Sequence, residues 1–158
     1  MRPVRVTTAV PYPPERVYDF LDVMANHEPF TNHMLKDWEY IGPERGVGAK
    51  ARVTATLGGR REPVEIEVIA AERPNMIGER NVGAGGRRVA TGTYTLEPIA
   101  GGETLIAFEY AWKQAPLSER LAAPLVRAIL SSANQRALAR LTEQLPVSLG
   151  PARTEQIA

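Results

Sequence analysis

The chain has 158 residues, no cysteine and a formal net charge of +1, with 44% hydrophobic and 23% charged side chains. That length suits one domain, able to bury about 70% of its unfolded surface without covalent staples. The missing thiols exclude disulfides, thiolate zinc sites, iron–sulfur clusters and cysteine nucleophiles. The near-neutral charge supplies no field to recruit nucleic acid or an anionic membrane, and the pairs Arg60-Arg61 and Arg87-Arg88 are too short to change that.

The first residues, Met1-Arg-Pro-Val-Arg-Val, lack the continuous apolar core of a secretory signal, and no stretch approaches the roughly 18 apolar residues of a membrane span. A cytoplasmic location without integral membrane association is expected. Val4, Val6, Thr8 and Val10 alternate with Arg5, Thr7 and Ala9, the pattern of a half-buried strand. Pro11, Pro13 and Pro14 stop it, and Pro14 with Glu15 suits a first helical turn. Val17, Phe20, Leu21 and Met24 then fall at i, i+3, i+4 and i+7, which predicts a short amphipathic helix over 14–24. A weaker helical stretch, interrupted by Pro29, is expected over Ala25 to Leu35.

Strand signals begin at Trp38 to Ile41. Ala51, Val53, Ala55 and Leu57 alternate with polar residues, and Gly58-Gly59 marks a hairpin to a return strand carrying Val64, Ile66 and Val68. Met76 to Val82 forms a further strand, closed by a turn over Gly83 to Gly86. Val89 to Leu96 and Thr104 to Trp112 make a last pair, joined across Pro98 to Gly102. Such short connections imply antiparallel pairing. Residues after Pro116 read as helical through about Gln144, with a kink or break at Pro124. Beyond it the stripe Val126, Leu130, Ala133, Ala137 and Leu141 is placed to lie on the sheet. Pro146, Gly150 and Pro151 are expected to end the helix, leaving residues 146–158 as a flexible tail after a domain over 1–145.

Several segments together resemble the START-like (SRPBCC) superfamily of birch-pollen allergens, lipid-transfer domains and polyketide cyclase/dehydrase proteins. They are Pro13-Pro14-Glu15-Arg16-Val17-Tyr18-Asp19-Phe20-Leu21-Asp22, Gly46-Val47-Gly48-Ala49 and Ala71-Glu72-Arg73-Pro74. To these are added Gly92-Thr93-Tyr94-Thr95-Leu96-Glu97-Pro98 and Gly101-Gly102-Glu103-Thr104-Leu105. The resemblance covers about residues 4–145. It implies an α+β helix-grip fold, β-α-α-β(6)-α, with a curved seven-stranded antiparallel sheet wrapped around the C-terminal helix and a cavity between them. Because relatives include carriers, receptors and cyclases, it implies no single activity.

A ligand cavity needs small or apolar walls with a few polar anchors. Leu130 and Ala137 on the terminal helix meet this need, and Asn134, mid-helix and costly to bury alone, either satisfies a neighbouring strand or faces a ligand. Val53, Ala55, Ile66, Val68, Tyr94, Phe108, Tyr110 and Trp112 share inward parity and either fill the core or line the cavity. The two tyrosines each bring a hydroxyl needing a partner. Of Glu79 and Arg80, neighbours in one strand, one must point inward; an inward Arg80 would require a carboxylate or ligand. His27 and His33 are six residues apart with Pro29 between them, which does not match the four-residue spacing of a zinc helix, so no metal or other cofactor is expected. Either histidine reads as an exposed loop residue or as a general base at a cavity mouth. No nucleophile elbow or phosphate loop is present, and Gly46-Val47-Gly48 reads as a turn into a strand. Three functions remain open. One is binding of a hydrophobic or aromatic small molecule with polyketide cyclase/dehydrase-like chemistry. The others are a non-catalytic lipid or isoprenoid-quinone carrier, and an interaction module with a filled cavity. The chain would act as a monomer or homodimer.

Overall fold

Alternating apolar residues carry seven strands into one antiparallel sheet in a computed structural model, which describes residues 1–152. The strands are β1 (Val4–Val10), β2 (Leu35–Ile41), β3 (Lys50–Leu57), β4 (Arg60–Glu72), β5 (Met76–Gly83), β6 (Arg88–Ile99) and β7 (Glu103–Gln114). Their order is β1-β7-β6-β5-β4-β3-β2: a six-strand meander with the first strand laid against the last. Register shifts interrupt β2 between Lys36 and Glu39, β4 between Val68 and Ala70, and the β6–β7 pair at Val89/Ala90, where Lys113 of β7 is the extra residue. Bulges of this kind bend a strand and increase its twist, so they curve the sheet. In β2 the shift coincides with Asp37 at φ 56°, a left-handed conformation that aspartate tolerates better than most residues.

Four helices complete the helix-grip fold: α1 (Pro14–Leu21), α2 (His27–Thr31), α3 (Leu117–Leu121) and α4 (Ala123–Leu149). Pro14 opens α1, where its missing N–H costs nothing, and Val17, Tyr18, Phe20 and Leu21 are buried. The α1 helix stops at Leu21 rather than Met24, which starts a 3-10 turn over Met24–Asn26. Pro29 does not interrupt the next helix, because it lies in the first turn of α2, where amide protons lack intrahelical partners anyway. The turn at 84–86 after Gly83 is itself a single 3-10 turn, with Gly85 at φ 63°. Like Gly58-Gly59, it connects neighbouring strands.

The break near Pro124 falls two residues earlier, at Ala122, whose φ −100° and ψ 23° leave the helical region. Pro124 then sits in the first turn of α4, where proline is tolerated. At the other end, α4 continues through Pro146 to Leu149 instead of stopping near Gln144. Tertiary contacts hold that last turn. Leu145 is completely buried, the Tyr12 hydroxyl donates to the Gly150 carbonyl at 2.6 Å, and Arg16 Nη2 donates to the Leu149 carbonyl at 2.6 Å. The expected tail thus begins inside the helix; its final residues, 153–158, lie outside the described residues.

Leu138, Leu141 and Leu145 of α4 join Val6, Val10, Tyr12, Ile106 and α1 side chains in the main core. Leu145→Ala is therefore expected to lower unfolding free energy by about 2–5 kcal/mol in chemical denaturation. A loss below about 1 kcal/mol would show that the last turns of α4 do not contribute to the core.

A cavity between the sheet and the C-terminal helix

The inner face of the sheet is set by register. Ile77 pairs with Tyr94, Glu79 with Gly92 and Asn81 with Ala90, while Gly92 pairs with Tyr110 and Tyr94 with Phe108. Side chains at every second position share a face, so Glu79, Asn81, Tyr94, Phe108 and Tyr110 converge there. Gly92 makes room in the middle. A Cβ at that position would lie 2.9 Å from Phe108 Cζ, so only glycine lets the Phe108 ring settle over the strand. The ring centroids of Phe108 and Tyr94 are 4.7 Å apart.

Opposite stands α4, whose buried positions are Leu130, Asn134, Ala137, Leu138, Leu141 and Leu145. Between sheet and helix lies a cavity of about 110 Å³. Its walls include Leu130, Asn134, Ala137 and Leu138 from α4, and Phe30, Thr31 and His27 from α2. Ala55, Leu57, Val64 and Ile66 come from β3 and β4, and Leu35 and Trp38 from β2. A second space of about 370 Å³ shares Ala55, Leu57, Tyr110 and Leu130 with the first. It is bounded by Trp112, by Leu125, Val126 and Ile129 of α4, and by Arg88, Glu62 and Glu119. Arg88 pairs with both of those carboxylates, tying β6 to β4 and to α3.

The polar side chains that line the inner cavity include His27, Asn134 and Glu79, which differ in what they bind. His27 is 4% exposed; its Nε2–H donates to the Leu21 carbonyl at 2.6 Å, and its ring packs on Phe30 and Tyr94. Burial lowers its pKa, so the ring stays neutral. Asn134 is 4% exposed and its side-chain Nδ2 has no hydrogen-bond partner among the described residues. Glu79 is 5% exposed, has no hydrogen bond or ion pair among the described residues, and burial alone pushes its carboxyl up to about 7. Burial, and secondly Glu79, raise the Tyr94 phenol well above its usual value, and burial pushes Tyr110 up to about 12.

Ala55, Ile66, Tyr94, Phe108, Tyr110, Leu130, Asn134 and Ala137 meet around the inner cavity, whereas Trp112 lines the second space. Val53 and Val68 are buried core residues that line neither. Arg80 is corrected: it is exposed on the outer face, and the inward neighbour is Glu79. Ile77 pairs with the inward Tyr94, which fixes the parity of β5 and turns Glu79 in. His27 is also corrected, since it is buried in the cavity wall rather than exposed on a loop. His33 is half-buried outside the inner cavity, where Nε2–H donates to the Ala133 carbonyl at 2.9 Å and Nδ1 accepts from Arg140 at 3.1 Å. Sequence reasoning left the choice between Glu79 and Arg80 open, and it missed Trp38 and Leu35 of β2 as cavity residues. Among the described residues, no three His, Asp or Glu side chains gather as metal ligands, and no helix is long and apolar enough to cross a membrane.

The chain belongs to the polyketide cyclase/dehydrase and lipid transport family, whose model matches residues 1–146. No curated protein matches it in sequence. Among solved structures it is similar to TTHA0849 of Thermus thermophilus, with a TM-score of 0.72 and 22% identity over 93% of this chain and 99% of that one. It is also similar to the Zhui aromatase/cyclase of Streptomyces sp. R1128, with a TM-score of 0.69 and 15% identity over 94% and 98% of the two chains. Ginseng major latex-like protein 151 of Panax ginseng gives a TM-score of 0.65 and 8% identity over 90% and 96%. At these identities the likeness is one of fold.

Glu79 sets a pH dependence. Its folded-state pKa of about 7 exceeds the ordinary value of 4.5, so over that window the folded protein keeps a proton that the unfolded chain has lost. Its contribution to stability is present below 4.5 and disappears as pH rises through 7, by up to about 3 kcal/mol. His27 and His33, whose pKa values are lowered, act in the opposite sense, so the comparison needs a variant. Glu79→Gln is expected to gain stability over wild type as pH is raised from 5 to 8. A difference between the two that stays constant with pH would contradict this.

Proposed function

We propose that the protein binds a hydrophobic or aromatic small molecule in the cavity between the sheet and α4. The observation that carries this reading is the inner cavity, where Phe108, Leu130, Ala137 and Ile66 present apolar surface from both sheet and helix. An interior of this kind favours apolar ligands because their transfer from water is worth roughly 25 cal/mol per Å² of buried surface. Membership in the polyketide cyclase/dehydrase and lipid transport family supports the same ligand class.

Glu79 favours a second reading, in which the bound molecule undergoes acid–base chemistry of the cyclase/dehydrase kind. A carboxyl with a pKa near 7 can both release and accept a proton at neutral pH. The surrounding walls would hold a flexible substrate in one folded conformation, which lowers the entropic part of a cyclisation barrier. A plain carrier needs no such group, because an apolar wall is enough for transport.

The binding reading is tested by titration with a neutral, environment-sensitive dye, N-phenyl-1-naphthylamine. Saturable, stoichiometric binding with blue-shifted emission is expected. Ala137→Phe, which places a ring in the cavity, should weaken it at least about tenfold while costing the fold about 1–3 kcal/mol. Absent binding in the wild type, or affinity unchanged in the variant, would contradict a ligand role for this cavity.

A further inference from the structure

Helix α3 and the start of α4 reverse the usual arrangement of polar and apolar side chains. Glu119 is turned inward, its side chain only 13% exposed, and both of its carboxylate oxygens accept from Arg88. Leu117, Leu121 and Leu125 are turned outward and remain 66%, 79% and 63% exposed. Leu117 and Leu121, four residues apart, share one face of the short α3, and Leu125 follows in the first turn of α4. Single apolar side chains on a surface are ordinary, but three leucines within nine residues mark a contact surface.

The same end of the sheet gathers cations that are dispersed in sequence. The β3–β4 turn, the β5–β6 turn and the β7–α3 connection meet there. Arg88 binds both Glu62 and Glu119, the Gln114 amide donates to the Arg87 carbonyl at 3.2 Å, and a Cβ on Gly58 would lie 3.2 Å from Ile129 Cδ1 of α4. Residues 57–62, 83–88 and 113–125 contain six Lys or Arg against two acidic residues, a formal charge of +4 in a chain whose total is +1. Arg60, Arg61, Arg87, Lys113 and Arg120 are exposed and form no ion pair among the described residues, whereas both carboxylates, Glu62 and Glu119, are engaged by Arg88. A near-neutral total thus conceals a basic end. The arginine pairs, too short to matter singly, add up once the turns converge.

We infer that α3 and the flanking turns dock peripherally on an anionic lipid surface, with the leucines entering the interface and the arginines and lysine meeting headgroup charge. Leucines beside unpaired cations suit such a surface, because apolar burial and electrostatic attraction act on it together. A second copy of the chain is disfavoured as the occupant, since the same face on both copies would set +4 against +4. Nucleic acid would offer phosphates to the cations but nothing to the leucines. The contact is superficial: no helix among the described residues is long and apolar enough to cross a membrane. It lies where the second space reaches the surface, because Gly58, Arg60, Ser118 and Leu125 line that space and are exposed. The docking surface stands whatever the inner cavity holds.

Because the chain has no cysteine, Leu121→Cys gives a unique site for an environment-sensitive nitrobenzoxadiazole label. Val147→Cys, 85% exposed near the far end of α4, is the control. Each is titrated at low ionic strength with vesicles of phosphatidylcholine, alone or with about one-third phosphatidylserine. The Leu121→Cys label should brighten and shift to the blue on the anionic vesicles, the Val147→Cys label should not, and added salt should weaken binding steeply. In flotation of unlabelled protein, Arg61→Gln with Arg87→Gln should weaken binding at least about tenfold, as should Leu117→Ser with Leu121→Ser. All four positions are exposed, so these variants keep the fold. No binding to anionic vesicles, binding without a spectral change at the Leu121→Cys label, or binding indifferent to both double variants would overturn the docking surface. Binding to poly-glutamate in place of vesicles would overturn it in favour of an acidic protein partner. Dye binding in the cavity tests the ligand reading separately from all of these outcomes.

Discussion

The structure depends on how one stripe of α4 meets the curved sheet. That stripe runs Leu130, Asn134, Ala137, Leu138, Leu141, Leu145, with large apolar side chains at both ends and an amide and a methyl between them. Leu141 and Leu145 are wholly buried and lock the C-terminal half of the helix into the core with α1 and β1. Asn134 and Ala137 are too small or too polar to fill the space that leucines would take. On the facing sheet wall Ala55 is likewise small. A leucine in place of Ala137 would bury about three more carbon atoms, each methylene worth about 0.8 kcal/mol. The cavity is thus maintained at a cost in packing that the fully filled half of the helix offsets.

A carboxyl placed in such a cavity changes the chemistry of its walls. Burial alone makes Glu79 resist ionisation. His27, by contrast, is committed to the Leu21 carbonyl at the end of α1, and its ring packs on Tyr94 of β6. The charged groups lie at the other space, where Arg88 joins Glu62 and Glu119. Their partial exposure keeps the stabilisation modest, but they fix the short α3 helix beside the cavity. Lys and Arg are thereby absent from the inner cavity, while Arg60 and Arg88 line the second space.

Much of the fold was legible in local patterns. The alternation from Val4 to Val10 marked β1 with its observed limits, and Gly58-Gly59 joins β3 to β4 because both glycines adopt positive φ, at 58° and 78°. The helix stripe placed Leu130, Ala137 and Leu141 on the sheet. Features set by tertiary contact were not legible. The end of α4 depends on Tyr12 and Arg16, distant in sequence, which hold Gly150 and Leu149. The parity of Met76 to Val82 was ambiguous because apolar residues occur at both parities, Ile77 on one and Met76 and Val82 on the other. Only pairing of Ile77 with Tyr94 turns Glu79 inward and Arg80 outward. Likewise His27, in a five-residue helix around a proline, carries no periodic signal of burial, and packing against Phe30 and Tyr94 decides it.

The most direct test of the central claim, that an apolar ligand occupies the space between sheet and α4, is a methyl-labelled NMR titration with naphthalene. The account predicts saturable shifts at the cavity methyls of Ala55, Ile66, Leu130 and Ala137, with Leu117 and Leu121, exposed on α3, unmoved. Shifts confined to Leu117, Leu121 and Leu125, with the cavity methyls unchanged at saturation, would contradict it.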